Sequence, residues 1–392
     1  MIYKPFQELK LSALGFGSMR LPTAGKGGPI DEVKARELVE YAYEQGINYF
    51  DTAYRYHEGE SEKFMGRVLS ELPRDSWYLA SKMPGHMMYY RNGRVGFSGY
   101  LSSMAVKTPR EIFLEQLEKC RVDYFDFYLL HNLCETSYDF YTDEDLAVVD
   151  YLLQQKKAGW IRHLGFSAHG RAETIERFLN WRDDFEFAQI QLNYMDWSLQ
   201  DAKRKYEILT EHGIPVMVME PCRGGRLAEL PPQAGAMLKK ARPEDTIASW
   251  AFRFLQSLSN VQVVLSGMTT MEQLKENLTL FSREDPTTPE ERALLEKVVG
   301  MMADLVPCTG CRYCMEECPQ GLDIPKLISM YNELKHDGMG TVRFTLDAMT
   351  PGELPGACLG CGACRRICPQ GIDIPGILKD FAQRIQNHSV NG

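Results

Sequence analysis

Short apolar runs, each closed by polar residues, alternate with helical patterns along the first 285 residues. The runs are LGFGSM from Leu14, INYFD from Ile47, WYLASK from Trp77, FDFYLLH from Phe125, IRHLGFS from Ile161, FAQIQ from Phe187, IPVMVME from Ile214 and VQVVLSG from Val261. Between them lie amphipathic segments such as EVKARELVEYAYEQG, PREIFLEQLEKC and KRKYEILTEHG, several ending at Gly as helix C-termini commonly do. Eight βα units in this length predict a (β/α)8 barrel rather than an open doubly wound sheet. The first strand is not followed by G-x-G-x-x-G, which weakens a dinucleotide-binding Rossmann alternative.

The pattern changes near residue 290. TTPEERALLEKVVGMMADL predicts a helix with Thr288 as N-cap, Pro289 at its first position and Glu291 at the capping-box position. Beyond it, CPQGLDIPKL from Cys318 and CPQGIDIPGI from Cys368 repeat at an offset of 50 residues. All eight late cysteines obey that offset, so the C-terminal part is a duplicated unit. The expected organisation is a barrel over 1–285, a linker helix over 286–305 and a small, mainly α-helical ferredoxin-like domain over 306–392.

Composition narrows the function. The 392 residues are 44% hydrophobic and 25% charged, which is ordinary globular usage. A formal charge of −9 without a basic block argues against a sequence-independent grip on nucleic acid. No run of 18 apolar residues suggests a membrane span, and the start, MIYKPFQELK, lacks a secretory h-region. The expected location is cytoplasmic. In a reducing compartment, 11 cysteines point to metal or catalysis more than to disulfides.

The cysteine spacing is specific. Cys308, Cys311, Cys314 and Cys318-Pro form a C-x2-C-x2-C-x3-C-P run, and Cys358, Cys361, Cys364 and Cys368-Pro form a second. Each run is the bacterial ferredoxin signature for a [4Fe–4S] cluster, in which the fourth thiolate reaches the other cluster. That crossing groups Cys308, Cys311, Cys314 and Cys368 at one cluster, and Cys358, Cys361, Cys364 and Cys318 at the other. Structural zinc usually joins two C-x2-C pairs across a longer loop, and neither zinc nor disulfides explain the duplication. The 39 residues between the runs are similar to the α-helical ferredoxin modules of succinate dehydrogenase-type iron–sulfur subunits. Cys120, Cys134 and Cys222 lie outside this pattern and are expected to be buried, inert thiols.

In a (β/α)8 barrel, polar residues at the C-terminal ends of strands are the default site candidates. Strand two ends at Asp51, with Tyr56 in the following loop; strand three ends at Lys82 and strand four at His131. The chemistry is coherent: a carboxylate pins the ammonium, the ammonium is expected to lower the phenol pKa, and the imidazole donates to a carbonyl.

These residues resemble the aldo-keto reductase family over roughly 1–285, through LGFGSMRLP, the D-T-A-x-x-Y run, SKM and DYFDFYLLHN. The whole chain resembles its iron–sulfur branch. The resemblance implies a catalytic tetrad of Asp51, Tyr56, Lys82 and His131, with Tyr56 as general acid. It also implies a nicotinamide cofactor across strands five to eight, with Ser167 and Gln189 on the carboxamide and Asn277 on the adenine. The sequence departs from the family at Ala168, where Asn is usual, and at Met219 or Glu220, where a ring-stacking aromatic is usual. Gly267 and Gln273 stand where many NADPH-specific members carry Lys and Arg. Loss of both cations predicts weak discrimination between NADPH and NADH. RGGR at 223–226 fits either a diphosphate cradle or a plain turn. The long segment after Lys82, rich in Met and aromatics, suggests a substrate-covering or tail-docking loop.

Two functions follow. One is hydride transfer between NAD(P)H and a small aldehyde or ketone, in a protein carrying two [4Fe–4S] clusters. The alternative is an electron-transfer protein exchanging single electrons with a ferredoxin or flavoprotein partner. A direct relay between hydride and cluster needs a splitter such as flavin. No flavin motif is visible, so flavin would come from a partner or bind without one.

Overall fold

The computed structural model describes residues 1–390 except 26, 98–104, 303–305, 307, 309–311, 341 and 369. The eight apolar runs form a closed, all-parallel barrel. Its strands are Leu14–Gly17, Tyr49–Asp51, Tyr78–Met83, Phe125–Leu133, Ile161–Ala168, Ala188–Gln191, Val216–Met219 and Val261–Ser266, here barrel strands one to eight. Ala188 pairs with Phe166, and Ser266 with Phe16, so the sheet closes through strand eight onto strand one.

Two hairpins accompany the barrel. Tyr3–Phe6 pairs with Leu9–Ser12. Phe6 and Leu11 join Tyr49, Phe127, Phe187 and Val263 in a buried cluster that fills the barrel interior. The segment after Lys82 contains a second hairpin, Met88–Arg91 with Arg94–Phe97. Asn92 and Gly93 form its turn, both at positive φ (52° and 73°), the combination a tight two-residue hairpin demands. Its Met88 and Phe97 are buried in the main core. The part of that segment over 98–104 lies outside the described residues.

The helix Pro289–Met302 begins as its capping box dictates: Glu291 N–H donates to Thr288 Oγ1 (3.3 Å), and Thr288 N–H donates to the Glu291 carboxylate (2.9 Å). Leu295, Val298 and Val299 are buried against the barrel, and Glu291 pairs with Arg253 (2.7 Å) and Arg242 (2.6 Å).

The C-terminal region is helical and has its own core of Leu322, Ile324, Leu327, Leu378 and Phe381, among others. Its helix Ile324–Asp337 packs on the loops that follow strands four to six. Arg171 pairs with Glu333 (3.2 Å) and donates to Ser329 (3.3 Å), whose hydroxyl donates to the Leu199 carbonyl (3.5 Å). Thr345 donates to Glu135 at 3.4 Å, and Glu135 in turn accepts from the Arg171 amide at 2.8 Å. The tail therefore docks on the C-terminal face of the barrel, where barrel sites are built. Among the described residues no helix is long and apolar enough to cross a membrane.

Candidate active site

Asp51 closes strand two, and the chain then turns sharply. His57 (φ 49°) and Glu58 (φ 58°) are left-handed, and Gly59 (φ 95°) leads into the helix Glu60–Leu69. Two consecutive non-glycine residues in that region store strain, and their effect is to swing Tyr56 back over the barrel mouth. A chain of hydroxyls holds the turn: Ser61 donates to Ser18, and Ser18 donates to the Asp51 carbonyl (2.7 Å).

Lys82 is fully buried. Its ammonium donates to Asp51 Oδ1 (2.7 Å) and the Thr52 carbonyl (2.8 Å), and lies 3.5 Å from Tyr56 Oη. Strand three is fixed from behind by the buried Glu62, which accepts from Ser81 (2.6 Å) and Gln116 (2.5 Å). The His131 ring meets the Tyr56 ring edge-on at 6.1 Å, and His86 lies edge-on to His131 at 4.5 Å. Asp51, Tyr56, Lys82 and His131 thus converge at one rim.

Burial decides the protonation states. It would lower Lys82, but the Asp51 charge and the Tyr56 oxygen outweigh it and hold the ammonium above its ordinary value. Burial pushes the His131 imidazole well below its ordinary range, with help from His86, Lys82 and His169, so the ring is neutral at pH 7. The expectation for Tyr56 is corrected. Lys82 does pull the phenol down, yet burial, aided by Asp51, raises it above its ordinary value. Tyr56 is a protonated donor at neutral pH rather than a near-neutral acid–base.

Beside these groups opens a cleft of about 450 Å³, lined at its base by Asp51, Tyr56, His131, Gln189 and Met219. Farther along, Glu220, Gly267, Gln273 and Asn277 line it. Gln189 is buried; its amide donates to the Met219 sulfur (3.8 Å), and its Oε1 is buried without a partner among the described residues. A buried, unsatisfied acceptor beside the tetrad fits the N–H of a carboxamide. Asn277 is held by Ser266 Oγ (3.0 Å). Gln273 spends its side-chain oxygen capping its own helix, accepting from the amides of Thr269 (2.9 Å) and Thr270 (3.3 Å). Ser167 is placed differently: its hydroxyl accepts from the Asn132 amide (2.8 Å), and it does not line the cleft.

The RGGR turn divides between its two readings. Gly224 and Gly225 line the cleft, whereas Arg223 turns inward to the buried Asp196 (2.9 Å). Cys222 lines the cleft too, but burial pushes its thiol up to about 12, an inert state. Cys120 and Cys134 are buried.

Sequence reasoning missed Arg20. It follows strand one and lies along Gly267, where an added Cβ would stand 3.0 Å from the Arg20 Cβ. Its Nη2 reaches to 3.2 Å from where a Cβ of Gly224 would sit. The guanidinium makes no ion pair among the described residues, and Arg20 lines the cleft. The signal available was a single cation within the quoted LGFGSMRLP run.

In the tail, Cys318, Cys358, Cys361 and Cys364 line one small apolar cavity together with Leu322, Ile324 and Leu378. Three cysteines of the second run and the last of the first therefore share one cavity, the grouping that the crossed rule expects, although among the described residues no three of them stand close enough to grip a single metal ion. The Gly360 amide donates to Cys358 Sγ (3.4 Å), a hydrogen bond of the kind that tunes a cluster. Of the other set, Cys314 is buried and Cys308 and Cys368 are half-buried, while Cys311 lies outside the described residues.

A closed parallel barrel with a buried Lys–Asp pair, a phenol and a neutral imidazole at its rim defines a class, the barrel oxidoreductases. The chain belongs to the aldo/keto reductase family, whose model matches residues 13–299, and a 4Fe-4S dicluster domain matches 307–372. It is 27% identical over 315 residues to the NADH-specific methylglyoxal reductase of Escherichia coli, covering 70% of this chain and 91% of that one. It is 26% identical over 314 residues to L-galactose dehydrogenase of Arabidopsis thaliana, covering 75% and 93%. Among solved structures it is similar to a holo aldo-keto reductase from Bacillus halodurans (26% identity, TM-score 0.59, 76% and 96% covered). A Klebsiella pneumoniae aldo-keto reductase solved with NADPH shares the fold at 18% identity and TM-score 0.57, with 76% and 96% covered.

Proposed function

We propose that this oxidoreductase transfers a hydride between NADH or NADPH and a small aldehyde or ketone, in a reducing, cytoplasmic setting. One observation carries the reading: the Lys82 ammonium stands 2.7 Å from Asp51 and 3.5 Å from Tyr56 Oη, beside a cleft of about 450 Å³ that Tyr56, His131, Gln189 and Asn277 line together. The nicotinamide, when bound, supplies the hydride. Gln189 would hold its carboxamide, and Asn277 and Gln273 would lie toward the adenosine. His131, neutral, donates to the substrate oxygen and polarises the carbonyl. Tyr56 delivers its proton to that oxygen as negative charge develops there, and Lys82 stabilises the phenolate left behind.

The eight late cysteines hold two [4Fe–4S] clusters in this reading. A second function, single-electron exchange with a ferredoxin or flavoprotein, is favoured by one specific feature: the tail docks on the face of the barrel that carries the site. Both readings meet in one experiment, an anaerobic visible spectrum of the holoprotein with NADH or NADPH, followed by addition of an aldehyde. Oxidation of the nicotinamide on adding aldehyde is expected. Bleaching of cluster absorption before aldehyde is added would show coupling, while absence of any nicotinamide oxidation would remove the reductase reading.

A further inference from the structure

The two cysteine loops differ at positions that ligation does not require. Across the 50-residue offset the cysteines and the Pro-Gln-Gly and Asp-Ile-Pro segments recur, so the ligand-holding duty is common to both copies. Leu359 corresponds to Thr309, and Arg365, Arg366 and Ile367 correspond to Met315, Glu316 and Glu317. Between its first and last cysteine, the first loop carries one Arg and two Glu, and the second carries two Arg and no acid. The residues that differ between the copies are not needed for ligation and are free to serve another purpose.

Those of the second copy face outward. Leu359 is 67% exposed and Ile367 45%, in a loop whose Cys361 is itself exposed. Large apolar side chains so exposed, carried on the same cysteine loop as two cations, have the make-up of an interface core and its rim. Arg366 is exposed, its Nη1 stands 3.8 Å from where a Cβ of Gly362 would sit, and it has no ion-pair partner among the described residues. Arg365 meets Asp373 at 3.4 Å, but both are more than half exposed, so water screens the pair. Glu317, an exposed acid, lines the cysteine cavity together with Leu359. The barrel does not cover this face. Ile324, at the start of its helix, lines the cysteine cavity, whereas the barrel is touched by Ser329 and Glu333 farther along.

We propose that Leu359, Ile367, Arg365 and Arg366 form the docking surface for a small acidic one-electron carrier protein. The inference rests on the reading that Cys318, Cys358, Cys361 and Cys364 hold a [4Fe–4S] cluster. One electron leaves the reduced carrier and enters that cluster, so the carrier is oxidised and the cluster reduced by one each, with no proton required. The cations steer the acidic partner in a protein whose net charge of −9 would otherwise repel it, and the apolar pair excludes water at contact.

The test is stopped-flow reduction of the holoprotein's clusters by a reduced acidic 2[4Fe–4S] ferredoxin, with reduced methyl viologen as a reductant that needs no docking. The ferredoxin rate should fall steeply with ionic strength. The double variant Arg365→Glu, Arg366→Glu should slow it about tenfold or more, and Leu359→Ser should slow it as well, while neither slows the viologen. Iron content and visible absorption of each variant are measured first. A parent protein without iron–sulfur absorption overturns the cluster reading and the docking surface with it. Full clusters whose reduction by ferredoxin is indifferent to salt, to the charge reversal and to Leu359→Ser overturn the docking surface alone. A change of oligomeric state in the variants, with ferredoxin inert towards the parent, makes the face a self-interface and also overturns it.

Discussion

Arg20 occupies the space that a side chain at Gly267 would need: an added Cβ there would lie 3.0, 3.2 and 3.3 Å from the Arg20 Cβ, Cγ and Cδ. The glycine is what lets the Arg20 side chain lie there. The guanidinium also reaches Gly224 on the same cleft, so, on the proposed function, its expected partner is the diphosphate that NADH and NADPH share.

Arg20→Met should therefore weaken both dinucleotides about tenfold, the worth of one charge-assisted hydrogen bond of roughly 1.5 kcal/mol. The ratio of their affinities should stay within about tenfold of unity, as in the parent protein. Fluorescence-quenching titrations measure both. Loss confined to NADPH would place Arg20 on the 2′-phosphate instead.

The eight strands were legible as apolar runs, and three rim residues because those runs close on Asp51, Lys82 and His131; Tyr56 came through the D-T-A-x-x-Y resemblance. Asp51 ends strand two, and Lys82 and His131 stand one and two residues before the ends of strands three and four; Asp51 pairs with Ala80 and Lys82 with Leu129, so the three step along successive strands to one rim. Arg20 was not legible, since its role depends on how far a long side chain travels after the first and last strands pair. The Met88–Phe97 hairpin carried an Asn-Gly turn signal, but its Met and aromatic content read as a loop. The state of Tyr56 was misjudged for a simpler reason. A nearby ammonium is visible in sequence, and the depth of burial that outweighs it is not.

Stability should depend on two buried imidazoles. Burial lowers His86 to about 4, and burial, with Lys205 and His86, lowers His169 to about 4. Between that value and the ordinary one near 6.5, the unfolded chain binds a proton that the folded chain does not. Stability is therefore full above about pH 6.5 and falls on acidification, by about 1.4 kcal/mol per pH unit for each group. Urea midpoints at pH 7.5 and 5.5 should show the loss, and His86→Asn should reduce it. An unchanged slope in that variant would contradict the assignment.

The tail's attachment should depend on Glu333, which is buried against Arg171. Glu333→Ala leaves the partly buried Arg171 without its carboxylate partner, at a cost of about 2 kcal/mol. Limited proteolysis should then cut between barrel and tail faster than in the parent, with iron content retained. Equal proteolysis would mean that Thr345 and Glu135 suffice to hold the junction.

Metal content follows from the thiols. Anaerobically purified protein should carry about eight irons and about eight sulfides, two cubes' worth. Cys318→Ser should remove or alter the cluster held mainly by Cys358, Cys361 and Cys364, whose cavity it shares. A colourless protein loaded with zinc would sink this reading.

The central claim is that Tyr56 gives its proton to the substrate oxygen, and Tyr56→Phe tests it most directly. The substitution keeps the ring against His131 and leaves the Lys82–Asp51 pair in place, so fold and cluster content should survive. Nicotinamide-dependent reduction of a test aldehyde should fall by about 10²-fold or more, the lower end of what general acid catalysis contributes. A Tyr56→Phe protein with full clusters that reduces the aldehyde as fast as its parent would contradict the account.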